Sequence, residues 1–396
     1  MEVSQLTIKL RFLALAMLAP LVFLTACGSG GGSTGVSLAS MNNAKISTVA
    51  STVPSLGAGQ PGDGDVNPYG VAIVGKTTGN LTLGNILVSN FNNKNNLQGT
   101  GSTIVEVTPQ GAFGLFAQIG NTALSGVPGG ACPGGVGLTT ALVALKSGWV
   151  IVGSLPTTDG MADTIGSGCL IVLNSTGSPV ETISGSPING PWDMTAAEVL
   201  NGDGSSDASL FVTNVLNGTV AGNGSVVNEG TVVRVDLHIP NGGMPSVTST
   251  IVIGSGFSER TDPAALVIGP TGVGLSPDGS VLYVADSLNN RIQMIADPLT
   301  RGTSAGTGTT FTADKSLNDP LGLAVDGAGN VFTVNGNDGF LLAFDPAGKQ
   351  FVNKLLDNTI SHGSKPGAGS LFGLGIAANG GVYYVNDATN TLNFLR

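Results

Sequence analysis

Residues 269–295, GPTGVGLSPDGSVLYVADSLNNRIQMI, alternate apolar and polar positions with a period of two. Val273 and Leu275 mark a first strand. Ser276-Pro277-Asp278-Gly279 has turn chemistry, because Pro presets φ and Gly accepts a positive φ. Val281 to Ala285 predicts a second strand, Asp286 to Asn290 a second turn, and Arg291 to Ile295 a third strand. Such a meander cannot bury its faces alone and needs neighbours.

The neighbours recur along the chain. First strands open at Pro68 (PYGVAIV), Leu138 (LTTALVAL), Pro191 (PWDMTAA), Pro270 (PTGVGLS), Pro320 (PLGLAVD) and Leu371 (LFGLGIA). Second strands end at Asn90, Gly153, Asn214, Asp286, Asn335 and Asn386. In four copies these landmarks lie roughly fifteen residues apart, the kind of fixed offset that marks a repeat array. Copies one and three carry the insertions KTTGNLTLG and LNGDGSSDAS. A third strand follows in every copy. Six meanders of about four strands predict an all-β, six-bladed β-propeller. The sixth copy ends after its third strand at Arg396, and KISTVAS (Lys45 to Ser51) is a spare strand before the first copy. Pairing that strand into the last blade closes the ring and removes open edges.

The copies resemble NHL repeats. Pro270 to Ile295 and Pro320 to Asp345 carry P-x-G-[VL]-x-[LV], a D-G or D-G-x-G turn and Y/F-V-x-D/N, and the first adds N-x-R-I-Q at Asn289 to Gln293. The resemblance spans most of residues 45–396 and is weakest in copies two and three.

Composition fits many short strands with tight turns. Of 396 residues, 62 are Gly and 10% are charged, against a usual charged share of about a quarter. A net charge of −10 without any basic run argues against nucleic acid, whose phosphates need Lys and Arg. The first 26 residues read as a leader. Lys9 and Arg11 precede an apolar run from Phe12 to Phe23, too short to span a bilayer. Leu24-Thr25-Ala26-Cys27 resembles the lipobox of bacterial lipoproteins, which implies lipidation of Cys27. The GSGGGSTG that follows suits a flexible tether, taken to residue 44. No Asp follows Cys27, which favours the outer membrane where the host has one. Cys132 and Cys169 remain as a disulfide pair in an exported chain.

Candidate chemistry is sparse. Two histidines, His238 and His362, cannot build a zinc site with these cysteines. Asn90, Asn214, Asp286, Asn335 and Asn386 could be mistaken for a ligand ring, but Asx side chains at strand ends ordinarily bond nearby backbone N–H groups. Ser276-Pro277-Asp278-Gly279, followed by Leu282-Tyr283 and Asp286-Ser287, is also similar to six-bladed gluconolactonase-like propellers. That resemblance implies a divalent cation held just after the opening Pro of each inner strand. Those positions here are Tyr69, Thr139, Trp192, Thr271, Leu321 and Phe372, with Asp193 one step further on. None of the six is a carboxylate or amide, and a hard cation wants several such oxygens. Tyr69, Trp192, Leu321 and Phe372 instead suggest an apolar binding rim, or core packing between blades. Asn201, Asp203 and Asp207 match part of a calcium loop that lacks its first carboxylate.

The sequence therefore predicts a monomeric, lipid-anchored envelope propeller acting as a binding scaffold for a protein, peptide or glycan, with no cofactor beyond a possible Ca²⁺. The alternative is a divergent propeller hydrolase or lyase with a bound divalent cation. Cys27→Ala is expected to move the chain from the membrane fraction to the soluble one. A variant that stays with the membrane overturns the anchor.

Overall fold

The computed structural model describes residues 38–396 apart from 58–59, 61, 264 and 361–364. Cys27, the leader and the tether up to residue 37 lie outside the described residues. Among the described residues, six antiparallel sheets make up the fold, five of them in sequential strand order. Their inner strands are Val66–Ile73, Leu138–Ala144, Pro191–Leu200, Pro270–Leu275, Pro320–Val325 and Leu371–Ile376. These are the six predicted copies, and each contributes one blade. Blade six takes Ile46–Ser51 as its outer strand, antiparallel to Thr391–Leu395 with Ile46 opposite Leu395. The ring is thus closed by the N-terminal strand. Leu38–Asn43 forms a 3₁₀ turn, with Met41 buried beside blades five and six. The Asn42 side chain donates to Phe351 O and accepts from Asn353 N.

The predicted strand-end Asx residues are buried and act on the backbone. Asn214 Oδ1 accepts the Asn189 and Gly190 N–H groups, Asn335 Oδ1 that of Asn318, and Asn386 Oδ1 that of Thr389. Asp286 differs, pairing with Arg291 Nε at 2.7 Å. Cys132 and Cys169 are disulfide-bonded, joining the loop before blade two to that blade's third strand.

Blade three departs from the pattern. Its third and fourth strands, Val227–Ile239 and Ser246–Asp262, form a long hairpin, and Leu266–Ile268 adds a fifth strand. Arg260 pairs with Ile268 and Asp262 with Leu266. This extension ends immediately before Pro270, so it delivers its last residues to the face where the inner strands begin. That face is called the front below, and the face where they end the back.

The third residue of the P-x-G pattern shows how the blades join. A Cβ on Gly272 would collide with Leu321 O, on Gly322 with Phe372 O, and on Gly373 with Tyr69 O. On Gly70 it would collide with Ser89 Oγ and Thr140 O. In each case the obstacle includes the inner strand of the next blade. Glycine is required here for close approach of backbone to backbone, not for an unusual φ. Blades two and three carry Thr140 and Asp193 at this position instead. The Asp193 carboxyl reaches across the joint to blade four, where Oδ2 accepts Val273 N–H at 3.2 Å.

Gly322→Ala is expected to lower stability by about 1–3 kcal/mol or more, the cost of overpacking against immobile backbone. Gly302→Ala, where an added Cβ meets nothing within 4 Å, is the control and should change little. Equal melting temperatures for the two variants would show that the inter-blade approach is not tight.

Candidate functional site

The front face carries a cavity of about 360 Å³. Arg260, Asp262, Asn290, Asp319 and Lys365 supply its polar wall, and Leu321 and Phe372 its apolar part. Below it the channel is plugged. Tyr69 stacks on Phe372 with ring centroids 3.9 Å apart and on Phe91 at 4.4 Å, and Trp192 lies 6.4 Å away. Tyr69, Trp192, Leu321 and Phe372 are all buried in one core cluster. The four residues proposed as a binding rim therefore close the channel. Apolar rings brought together at the narrow end of six converging strands exclude water by packing on one another. Two of them, Leu321 and Phe372, also line the cavity above.

Asp319 sits one residue before its inner strand, at φ +58°. Asp tolerates this left-handed region better than most residues, but a non-Gly residue held there marks a constrained site. Its N–H donates to Asn290 Oδ1 at 2.6 Å, and Asn290 itself has φ +48°. The device repeats between blades six and one, where Asn67 (φ +60°) donates to Asn390 Oδ1 at 2.7 Å. Blades two, three and four have Gly137, Gly190 and Gly269 at the corresponding place. Of the two joints that carry this cradle, only the one at Asp319 presents a carboxylate.

Arg260 Nη2 pairs with Asp262 Oδ2 at 2.7 Å, and Arg260 Nη1 donates to Thr261 O. Burial, and then the Asp262 charge, push the Asp319 carboxyl up to about 7, with Arg260 pulling the other way. Asp387, which opens the 3₁₀ turn Asp387–Thr389, is also pushed up to about 7 by burial. The buried Tyr69 hydroxyl is raised well above its usual range by burial and by the charges of Asp387 and Asp262. The front face thus combines an ion pair with a carboxyl that exchanges its proton near neutrality. That combination suits general acid–base chemistry.

The six strand-start positions do not form a cation site. They offer hydroxyls alone, and Thr271 Oγ1 is engaged by Ser287 Oγ and Pro320 O. Among the described residues, no group of three or more His, Cys, Asp or Glu side chains is placed to hold a metal ion. The loop of Asn201, Asp203 and Asp207 is an exposed hairpin turn that satisfies itself. Asn201 Nδ2 donates to Asp207, Asp203 accepts from Ser205, and Asp207 pairs with His238 Nδ1 at 2.8 Å.

Asp319 lies two residues before Leu321, outside the strand-start positions 69, 139, 192, 271, 321 and 372 at which the sequence pattern places candidate ligands. The pattern also missed Arg260 and Asp262, which belong to the long hairpin. A signal was present: Glu259, Arg260 and Asp262 put three charges within four positions of a chain in which 10% of residues are charged.

The family model of the SMP-30/Gluconolactonase/LRE-like region matches residues 212–356, less than half of the chain. This is a different family from the NHL repeats that the pattern resembles. No curated protein sequence matches the chain. Among solved structures, a gluconolactonase from Xanthomonas campestris is 12% identical, covers 90% of each chain and has a TM-score of 0.48. Regucalcin from Agrobacterium tumefaciens, a calcium-binding protein, is 12% identical over 87% of this chain and 94% of its own, with a TM-score of 0.46. Virginiamycin B lyase from Staphylococcus aureus is 13% identical over 87% and 82%, with a TM-score of 0.42. The six-bladed ring is defined here by its own strand pairing. Arg260, Asp262, Asn290, Asp319 and Leu321 all fall within the matched segment.

Asp193 and Glu259 are likewise buried and pushed up to about 8. A carboxyl raised in the fold holds a proton that the unfolded chain has already released. Stability from such groups is greatest near pH 4 and falls as pH rises towards their folded values, by up to about 1.4 kcal/mol per pH unit for each. The exposed Asp203, Asp207 and Asp278, all lowered, act in the opposite sense but only below about pH 4. The melting temperature is therefore expected to fall between pH 5 and pH 8, and Asp319→Asn should flatten part of that fall. A melting temperature that rises over this range would contradict the assignment.

Proposed function

We propose that the front-face cavity is the active site of a propeller hydrolase or lyase acting on a small polar substrate, a cyclic ester being the first class to test. The reading is carried by one observation. The segment that matches the lactonase-type family model also brings Arg260, Asp262, Asn290 and Asp319 to the wall of a single cavity. In this reading Asp319 takes the proton from an attacking water, or from carbon in an elimination, and returns it to the leaving oxygen. Arg260, oriented by Asp262, donates to the oxygen on which negative charge develops. Asn290 positions Asp319 through its backbone N–H. The residues at the family's metal positions do not suit a cation, so no step is routed through one. A binding scaffold gains less support, because the four apolar residues assigned to its rim are packed inward. We further propose that the propeller is exported and held at the membrane by lipid on Cys27.

The test is hydrolysis of five- and six-membered lactones by the full-length protein, with and without EDTA. Activity should survive EDTA, and kcat/KM should rise along a limb near pH 7. Asp319→Asn should lower kcat by about 10²-fold or more, the usual contribution of a general acid or base. Loss of activity in EDTA with recovery on adding Ca²⁺ would replace this mechanism with a metal-dependent one. Absence of turnover across the lactone series would remove the cyclic-ester assignment.

A further inference from the structure

A second cavity, of about 560 Å³, opens on the back face and is walled by the inner strands of all six blades. Its size is that of a small-molecule site, within the usual range of about 300–1,000 Å³. Apolar side chains on its wall include Val71, Leu142, Met194, Val273, Leu323 and Leu374, while polar atoms supply the larger share of its exposed lining. Two of its polar side chains, Thr140 and Asp193, occupy the positions where other blades require glycine. Asp193 is 7% exposed; its Oδ1 accepts Met194 N–H at 2.8 Å and its Oδ2 accepts Val273 N–H at 3.2 Å. Among the described residues, no Lys, Arg or His pairs with it in a salt bridge. Thr140 is buried and lines the same cavity, and its hydroxyl oxygen is buried without a hydrogen-bond partner. The remaining charged groups on the wall are Glu198 and Lys146, and Glu198 is engaged by the Lys146 and Ser147 N–H groups and by Ser206 Oγ.

We infer that this channel binds a small organic ammonium ion, with Asp193 as counterion, Thr140 as hydrogen-bond acceptor and the apolar side chains of the wall in contact with its hydrocarbon part. A buried carboxylate without a cationic neighbour is costly and is relieved either by protonation or by a cation that enters with it. The cavity is large enough for that cation to be organic. The net charge of −10 favours the approach of cations. The site uses none of the front-face residues and stands whether or not the cyclic-ester reading holds.

Titration calorimetry of the full-length protein with n-hexylammonium, 1-hexanol and hexanoate tests the assignment. Hexylammonium should bind about tenfold or more tightly than hexanol, hexanoate should bind worst, and Asp193→Asn should cost about tenfold for the ammonium alone. Thr140→Val should weaken the ammonium further without affecting hexanol. Heats measured in two buffers at pH 7 should show a proton released on binding. Equal binding of hexanol and hexylammonium, unchanged binding in Asp193→Asn, or no binding of hexylammonium would each overturn the proposal. If Asp193→Asn fails to fold, the ammonium-to-hexanol ratio on the unaltered protein decides.

Discussion

The ring depends on how closely one blade's inner strand can lie against the next. Along the front of the channel that approach is backbone on backbone, and four blades secure it by having no side chain at the third residue of the repeat. The requirement is steric: beside a carbonyl oxygen already at contact distance there is no room for a Cβ. Once those joints are tight, the residues immediately before them are forced together. Tyr69, Trp192, Leu321 and Phe372 then have no solvent to face and pack into the plug. The same convergence places the strand-start loops side by side above the plug, and so makes the front-face cavity.

The exceptions to this rule are as informative as the rule. Thr140 and Asp193 are adjacent in the ring, on blades two and three, and nothing in the local strand pattern calls for either. Asp193 holds the joint by a side-chain hydrogen bond to Val273 N–H where glycine would hold it by contact. A neutral Ser or Asn could serve that mechanical purpose at less desolvation cost, since burying a carboxylate costs more than burying an amide or hydroxyl. The choice of the costlier group is why the channel, rather than only the joint, calls for a role.

Blade count, strand starts and the closing strand were legible in the sequence because they depend on period-two alternation and turn residues, both of which are local. The predicted copies at Pro68, Leu138, Pro191, Pro270, Pro320 and Leu371 coincide with the six inner strands. The site was much less legible. Arg260 and Asp262 reach the front face through a hairpin of blade three that has no counterpart in the other blades, so no repeat alignment could place them. Asp319 was hidden for another reason. Its position reads as the turn residue of an Asp-Pro pair, and only the cradle from Asn290 shows that the turn aims a carboxyl into a cavity. For the apolar strand-start residues the sequence left a rim and core packing between blades both open, because the two have the same composition, and the four side chains are buried in the core.

Burial connects the two ends of the channel energetically. Asp193, Glu259, Asp319 and Asp387 each sit where an ionised carboxylate is disfavoured, in a fold whose charged residues are few. Structural carboxylates in this chain look different: Asp278 and Asp203 accept bonds from neighbouring Ser side chains and backbone in exposed turns, and their affinity for protons falls. The fold thus separates two populations of acid, one that stabilises turns as the anion and one that is kept close to neutrality by packing. Stability alone selects for the first and against the second, because the second costs free energy at neutral pH. Two of the second kind, Asp319 and Asp193, line separate cavities on opposite sides of the aromatic plug. A group retained against stability, with a cavity in front of it, is better explained by what it meets there than by what it supports.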